Sequence, residues 1–353
     1  MPHPTPNAKP LHLALASDGN PGYIAGLTVA AASALRHLSP NASLIVHILD
    51  CGIPDADFAH IEAVLRKVRA DVTVRRHPIN PADFKDFPPW KGSLAVYARL
   101  ILPELLPEAD WVCYADCDIL FTGDLAELFT YATEDALLLG HIDVLRDLPN
   151  PTEQCAWFAA RPELPFDINR YICSGFILIN LAACRAEDIT RRSLEFLHTY
   201  PDVPFVDQDT LNSVCFGRIG LLPDAWGTLL FLLADCSVTT IPGAIHFADV
   251  APWVYSPKKH TGLANVYQRT AYHLYDCAAD ELLPKHSPFR AAMPRLRGLW
   301  WRRHFPPSLW LRLPRWMAAP PWVRDPRRRA KRLWKRRGEP LQYEHCHEEK
   351  GMP

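Results

Sequence analysis

The chain has 353 residues, 48% of them hydrophobic and 22% charged, which is ample for one large α/β domain or two smaller ones and excludes a disordered or fibrous class. Its formal net charge of −1 hides an asymmetry, because residues 1–284 hold 20 Lys/Arg against 34 Asp/Glu while residues 285–337 hold 17 against the single Asp325. Met1-Pro2-His3-Pro4-Thr5-Pro6 lacks the basic and apolar regions of a secretory signal, no apolar run is long enough to span a bilayer, and the 10 scattered cysteines include no Cys-X-X-Cys, so the expectation is a cytoplasmic protein with reduced thiols and no zinc site.

Leu11 to Ala16 reads as a first strand, Ser17-Asp18-Gly19-Asn20-Pro21-Gly22 as a turn-rich loop, and residues 26–38 as a helix of small residues. The loop lacks the spacing of a dinucleotide fingerprint and has no Walker lysine. Leu44 to Leu49 predicts a second strand. Phe58, Ile61, Leu65 and Val68 recur at helical spacing behind a cap at Asp55, and Val72 to Val74 predicts a third strand. This βαβ order implies parallel pairing with right-handed crossovers. Residues 81–90 are too rich in proline for a regular element and read as a surface loop. A helix is predicted to start near Ser93, to carry Tyr97 and Arg99, and to end near Pro103. Taken alone, Arg99 is as readily a solvated charge as a functional one.

Trp111 to Ala115 reads as a buried strand ending on Asp116 and Asp118. In extended backbone, residues i and i+2 face the same way, so the two carboxylates converge and call for a cation such as Mg²⁺ or Mn²⁺. A bare Asp-X-Asp is common and often only caps a turn. Here Asp124 and Glu127 have capping-box spacing ahead of Leu125, Leu128 and Phe129, which places the pair at the carboxyl end of a central strand, where open α/β sheets bind ligands. Ala136 to Gly140 predicts another strand. Residues 146–170 show no periodicity and read as a long functional loop, a lid or acceptor flap. Tyr171 to Asn180 predicts a strand and residues 182–200 one amphipathic helix. Asp207-Gln208-Asp209 precedes a helix expected to begin near Thr210, where a capping role stands beside a functional one. His246 lies in a short apolar strand, and a hydrogen-bonded core histidine is the commoner outcome of that setting.

Ala16 to Asn20, Tyr97 to Leu100, Tyr114 to Asp118, Ser174 to Leu181, Asp207 to Asn212, and His246 followed by Pro252-Trp253 together resemble the retaining glycosyltransferase family 8, of the GT-A fold. Within it they resemble the bacterial lipooligosaccharide and lipopolysaccharide alpha-galactosyltransferases and glucosyltransferases. The resemblance implies a single Rossmann-like α/β domain over residues 11–284, with a mixed, mostly parallel sheet flanked by helices, after a disordered segment 1–10. It implies that Asp116, Asp118 and His246 bind Mn²⁺ (or Mg²⁺) at the two phosphates of a UDP-sugar. Asp18 and Asn20 would hold the uridine and ribose, with Tyr23 against the base. Arg99, Asp143, Asp207 and Gln208 match positions around the donor sugar, with Cys117 and Ser174 in the same donor-binding set. The implied catalytic residues are Gln208, under the anomeric carbon, and Asp207. An amide is a poor nucleophile, so front-face attack by the acceptor hydroxyl is favoured over the carboxylate displacement of retaining hydrolases. The expected function is metal-dependent, retaining transfer of galactose or glucose to a saccharide acceptor, a lipid-linked cell-surface glycan. Two departures favour the alternative of a degenerate UDP-sugar-binding homologue. Cys173 stands where galactosyltransferase relatives have an Asn that contacts the sugar. Phe247-Ala248-Asp249-Val250-Ala251 replaces a stretch in which they carry Gly and a diphosphate-binding Lys, leaving Lys258 and Lys259 as substitutes.

Residues 285–337 interleave Trp300, Trp301, Phe305, Trp310, Trp316, Trp322 and Trp334 with Arg and Lys. Aromatic anchors and cations suit an anionic membrane surface, so the expected location is peripheral, on the inner face of the cytoplasmic membrane, with residues 338–353 a disordered end. A solvated basic extension and a nucleic-acid tail are the other readings, and the acidic body argues against nucleic acid as a partner. An Asp-X-Asp phosphatase would carry its motif after the first strand, whereas here the motif lies well into the sheet.

Overall fold

The chain begins as an unbroken βαβαβ run: β1 (Leu11–Ser17), α1 (Pro21–His37), β2 (Leu44–Asp50), α2 (Asp55–Val68) and β3 (Thr73–Pro78). The computed structural model describes residues 9–143, 152–230, 243–248, 250–256 and 266–293. Asn20 caps α1 by accepting from the Gly22 N–H at 3.0 Å, and Pro21 follows at the first helical position, so this helix starts five residues before the small-residue run suggested. Asp55 is not the cap of α2. Pro54 occupies that position, and Asp55 and Asp57 place negative charge in the first turn, where the helix dipole favours it.

The remaining elements are α3 (Leu102–Leu105), β4 (Trp111–Ala115), β5 (Ile119–Phe121), α4 (Leu125–Phe129), β6 (Leu138–Ile142), α5 (Glu153–Ala159), β7 (Ile172–Asn180), α6 (Leu181–Ala186), α7 (Ile189–Thr199), α8 (Val206–Val214), β8 (Ile219–Leu221), β9 (Thr228–Leu229), β10 (Ala244–His246) and α9 (Val266–Leu282). Several differ from the sequence expectations for local reasons. The proline-rich segment is a surface loop only in part: Pro81–Phe84 is a 3₁₀ turn, and Phe84 and Phe87 bury their rings against Tyr97, at centroid distances of 5.6 and 5.3 Å. The element carrying Arg99 is a 3₁₀ helix, Ala95–Ile101, that runs into α3. The single helix expected over residues 182–200 is split by Asp188, whose backbone is left-handed (φ 54°). Within the stretch expected to be irregular, Thr152 caps α5 through the Cys155 N–H.

Seven strands form one sheet in the order β3-β2-β1-β4-β7-β6-β8. The pairs β3-β2, β2-β1, β1-β4 and β6-β8 are parallel, and β7 runs antiparallel to both β4 and β6. The sheet is therefore mixed and mostly parallel, as expected. The chain builds outward from β1 through β2 to β3 and then returns to place β4 on the other side of β1. That reversal opens a crevice at the carboxyl ends of β1 and β4, the place where such sheets bind ligands. A second, three-stranded sheet in the order β5-β10-β9 was not foreseen. Apolar cores pack on both faces of the large sheet. Phe289 and Met293 are buried in one of them, and Ser287 hydrogen-bonds His60, so the first residues of the expected basic extension belong to the packed body. The rest of that extension, from residue 294, lies outside the described residues, as do Lys258, Lys259 and Asp249. Among the described residues no helix is long and apolar enough to cross a membrane.

Candidate active site

An open cavity of about 1020 Å³ lies at the crevice, and every site residue expected from the sequence lines it. Pairing of β5 with β10 explains how residues far apart in sequence meet there. β5 begins one residue after Asp118, and its partner β10 ends on His246, in register with Ile119. The Phe247 N–H donates to the Asp118 carbonyl at 3.0 Å and extends the ladder to the acidic motif. His246 Nε2 then lies 3.3 Å from Asp118 Oδ1 and 4.0 Å from Asp116 Oδ2. One ligand atom from each of the three residues falls within 4.8 Å of the others.

Two further observations fit this cluster to a hard divalent cation. The donors are two carboxylates and one imidazole, a set suited to Mn²⁺ or Mg²⁺ with the remaining positions left to water or phosphate oxygen. In addition, Gly175 on β7 leaves the cradle open: a Cβ there would stand 2.3 Å from His246 Cε1 and 2.5 Å from Asp116 Oδ2. His246 is 3% exposed. Burial opposes its charge, but Cys173 and Asp118 outweigh burial and raise its pKa well above the ordinary range, so a cation binding there would have to displace the imidazole proton. Cys173 Sγ sits 3.6 Å from His246 Nδ1, on the side of the ring away from the carboxylates, so it orients the imidazole and does not join the ligand set.

Arg99 is not a solvated charge. It is 4% exposed and its guanidinium fork spans the cavity floor. Nη2 donates to Asp116 Oδ1 at 2.8 Å, and Nη1 reaches Asp207 Oδ2 at 3.1 Å and the Ser174 carbonyl and hydroxyl at 2.8 and 3.0 Å. Tyr114, two residues before Asp116 on the same strand face, adds its hydroxyl to Asp116 Oδ1 at 3.1 Å. One oxygen of Asp116 is thereby engaged while the other faces His246. Burial pulls the Arg99 pKa down, but Asp116 and Asp207 more than restore it, so the guanidinium stays charged. Asp207 carries the opposite strain: burial raises its pKa, and Arg99 and Ser174 only partly offset this.

The three residues Asp207-Gln208-Asp209 lie inside the first turn of α8, not before it, so a helical rotation sends them in different directions. Asp207 faces Arg99 and Ser174. Gln208 is held at both ends of its amide: Oε1 accepts from the Ser174 N–H at 3.0 Å, and Nε2 donates to Asp143 at 3.1 Å and to the Tyr171 hydroxyl at 3.2 Å. Asp209 points away, is fully buried, accepts from the Phe205 N–H at 2.6 Å and from the Tyr171 hydroxyl, and has its pKa pushed up to about 6 by burial. The capping role is thus Asp209's, while its two neighbours line the cavity.

At the other expected positions, Asp18 accepts from the Asn20 N–H at 3.1 Å and Asn20 spends its side-chain oxygen on Gly22, which together shape the loop after β1. Tyr23 is 40% exposed and rests edge-on against Trp253, at 5.2 Å. Cys117 turns its thiol into the core, donating to the Ala16 carbonyl at 3.0 Å, so only its backbone is free to meet a ligand. Sequence reasoning gave no role to Tyr114, Tyr171, Gly175, Trp90, Lys91, Gln154 or Phe205. The first three lie in or beside the motifs quoted above, where strand alternation was the available signal. The other four are brought in by tertiary packing.

The model of glycosyl transferase family 8 matches residues 12–256, which include all of these site residues. The chain belongs to this family. As a family 8 chain it is similar to a Haemophilus influenzae protein named as a glycosyltransferase, at 30% identity over 145 residues, covering 40% of this chain and 42% of that one. It is also similar to the lipopolysaccharide 1,3-galactosyltransferase of Salmonella typhimurium, at 25% identity over 262 residues, covering 70% and 74% of the two chains. Among solved structures, the galactosyltransferase LgtC in complex with donor and acceptor sugar analogues superposes with a TM-score of 0.66 and 25% identity, covering 80% of this chain and 100% of that one. The fold is accordingly GT-A.

Proposed function

We propose that this family 8 chain is a metal-dependent, retaining hexosyltransferase that moves galactose or glucose from a UDP-sugar to a saccharide acceptor on a lipid-linked cell-surface glycan. The observation that carries the reading is the convergence of Asp116, Asp118 and His246 beside a cavity large enough for a nucleotide-sugar. The likeness to a lipopolysaccharide galactosyltransferase supports the hexose and the glycan acceptor. The triad would hold Mn²⁺ or Mg²⁺, which when bound neutralises charge developing on a departing diphosphate. Asp18, Asn20 and Tyr23 would take the nucleoside, and Arg99, Asp143, Ser174 and Gln208 the hexose. Asp207 is already committed to Arg99 and Ser174, so it is poorly placed to act as a nucleophile. The Gln208 carbonyl accepts from the Ser174 N–H with one lone pair and would keep the other for an oxocarbenium centre, while the acceptor hydroxyl attacks from the front face and passes its proton to the departing diphosphate oxygen. Release of UDP from a panel of UDP-sugars with Mn²⁺ tests the assignment. It should be rapid with UDP-galactose or UDP-glucose and fall at least about 100-fold in Asp118→Ala, in line with the loss of a principal electrostatic group. A covalent glycosyl adduct on Asp207, Gln208 or Asp209 in the mass spectrum would overturn the front-face mechanism.

A second reading is favoured by Cys173, turned onto His246, and by the absence of lysine from residues 247–251: a nucleotide-sugar-binding homologue without transferase activity. Metal-dependent hydrolysis of the donor without acceptor would rule it out. The location proposed is peripheral, at the inner face of the cytoplasmic membrane, through the basic, tryptophan-rich residues 294–337. Because the packed body extends to Met293, liposome flotation should compare the full chain with residues 1–293. Equal partitioning of the two would remove the tail from this role.

A further inference from the structure

Trp90, Lys91, Gln154 and Phe205 also line the cavity and have no part in the site described above. Trp90 packs edge-on against Phe205, at 5.1 Å and 64°, and Phe205 immediately precedes α8. Trp90 and Ser93 close a two-residue β-hairpin, with reciprocal backbone hydrogen bonds of 3.0 and 2.9 Å. Its central residues, Lys91 (φ +48°) and Gly92 (φ +85°), are both left-handed. That turn is the one hairpins prefer, and Asn or Gly ordinarily takes the first central position. A lysine there is strained, and strain of this kind concentrates at ligand sites.

Lys91 forms no ion pair among the described residues, whereas Arg99, another cation lining the cavity, is bound to Asp116 and Asp207. Its ammonium lies 5.8 Å from the centroid of the Trp90 ring. A third observation comes from Gln154 on α5. It is 3% exposed, lines the cavity, and its amide makes no hydrogen bond among the described residues. An aromatic ring, an amide without a hydrogen bond and a cation without an ion pair among the described residues therefore line the same cavity as the Gln208 amide. These are the groups needed for a sugar ring, its hydroxyls and an acidic substituent, respectively.

We propose that Trp90, Lys91 and Gln154 form the acceptor subsite and that it selects a sugar bearing a carboxylate or phosphate, an assignment that rests on the transferase reading above. Trp90 stacks the apolar face of the acceptor ring, Gln154 pairs with its hydroxyls, and Lys91 pairs with the anion.

The test uses the full chain with Mn²⁺, first titrated with UDP and then, with UDP in place, with methyl β-glucoside, methyl β-glucuronide and methyl β-glucoside 6-phosphate. One or both acidic glycosides should bind at least about 10-fold more tightly than the neutral one, and the pair of acids separates carboxylate from phosphate. The preference should shrink between 50 and 500 mM salt, as expected for a partly solvated pair screened within about 10 Å at 0.1 M. It should vanish in Lys91→Gly, a variant that also relieves the left-handed strain and so should unfold no sooner than the wild type. Trp90→Ala and Gln154→Ala should weaken neutral and acidic glycosides alike. If UDP itself does not bind, the transferase reading fails. If UDP binds but the glycosides bind equally or not at all, or the preference survives Lys91→Gly, the acceptor assignment fails alone.

Discussion

Replacing Arg99 by Met would remove the cation from the centre of the cavity floor while keeping a side chain of similar length. The structure sets the expected cost. Arg99 is 4% exposed and pairs with two carboxylates, of which Asp207 is 5% exposed and stays largely desolvated when its partner is lost. The side chain of Asp116, at 29% exposure, regains solvent when its partner is lost, so its share is small. Breaking a buried ion pair from one side costs about 3–5 kcal/mol, and with one carboxylate stranded the lower end applies, about 3 kcal/mol. Adding Asp207→Asn removes the stranded charge, so the double variant should recover part of that loss and the two changes should be non-additive by about 1–2 kcal/mol. Urea unfolding of the wild type, both single variants and the double variant measures this. A loss below about 1 kcal/mol in Arg99→Met, or additivity within about 0.5 kcal/mol, would refute the view of Arg99 as the buried clamp between Asp116 and Asp207.

Gly175→Ala should weaken Mn²⁺ binding at least about 10-fold, since the added methyl lands against His246 and Asp116. Titration followed by Mn²⁺ electron paramagnetic resonance reads this directly, and unchanged affinity would show that the cradle is looser than it looks. Another prediction concerns the histidine row across β1, β2 and β3, with His12 and His47 buried and His77 partly so, in which His12 Nδ1 meets His47 Nε2 at 2.9 Å and His47 Nδ1 meets His77 Nε2 at 2.9 Å. Burial, together with its neighbours His12, His77 and Arg75, drives the His47 pKa down from 6.5 to about 3. A folded pKa below the unfolded one means that the unfolded chain takes the proton. The contribution is therefore complete above pH 6.5 and is lost as pH falls toward 3. At pH 5 the loss from His47 is about 2 kcal/mol, at 1.36 kcal/mol per unit. Urea midpoints measured from pH 7.5 to 5 should fall in the wild type and fall less steeply in His47→Gln; parallel curves would count against the buried row. Finally, Gly26→Ala should destabilise by about 1–3 kcal/mol through overpacking, because its methyl would meet the Trp253 ring and the Cys117 carbonyl at 2.3 and 2.7 Å. A melting temperature equal to the wild type's would show that Trp253 can move aside.

The residues that the sequence marked most clearly were those whose chemistry is local. Strand alternation alone puts Asp116 and Asp118 on one face, and the run from Trp111 to Ala115, buried beneath them, needs no partner to be recognised. Likewise, the βαβ order through β3 announced parallel strands, and the ordered motifs from Asp18 to His246 pointed to the family. What alternation and periodicity could not carry was pairing between distant segments. The three residues of β10 are too short to show a period, and only their ladder with β5 places His246 beside Asp118, more than a hundred residues earlier in the chain. Arg99 looked like an ordinary helical arginine because its two carboxylate partners come from the end of β4 and from α8, elements brought together by the β4-β7 pairing and the packing of α8 on β7. The division of Asp207, Gln208 and Asp209 into clamp, cavity amide and cap also depended on where α8 starts, and that is fixed by the Asp209 carboxylate accepting from Phe205. The sequence by itself thus determined the parallel βαβ succession near the amino terminus, the acidic pair and the family. Tertiary structure alone decided that His246 joins the acidic pair, that Arg99 is buried, and which way each residue in the first turn of α8 points, because a burial environment is made by contacts between elements and no single segment contains them.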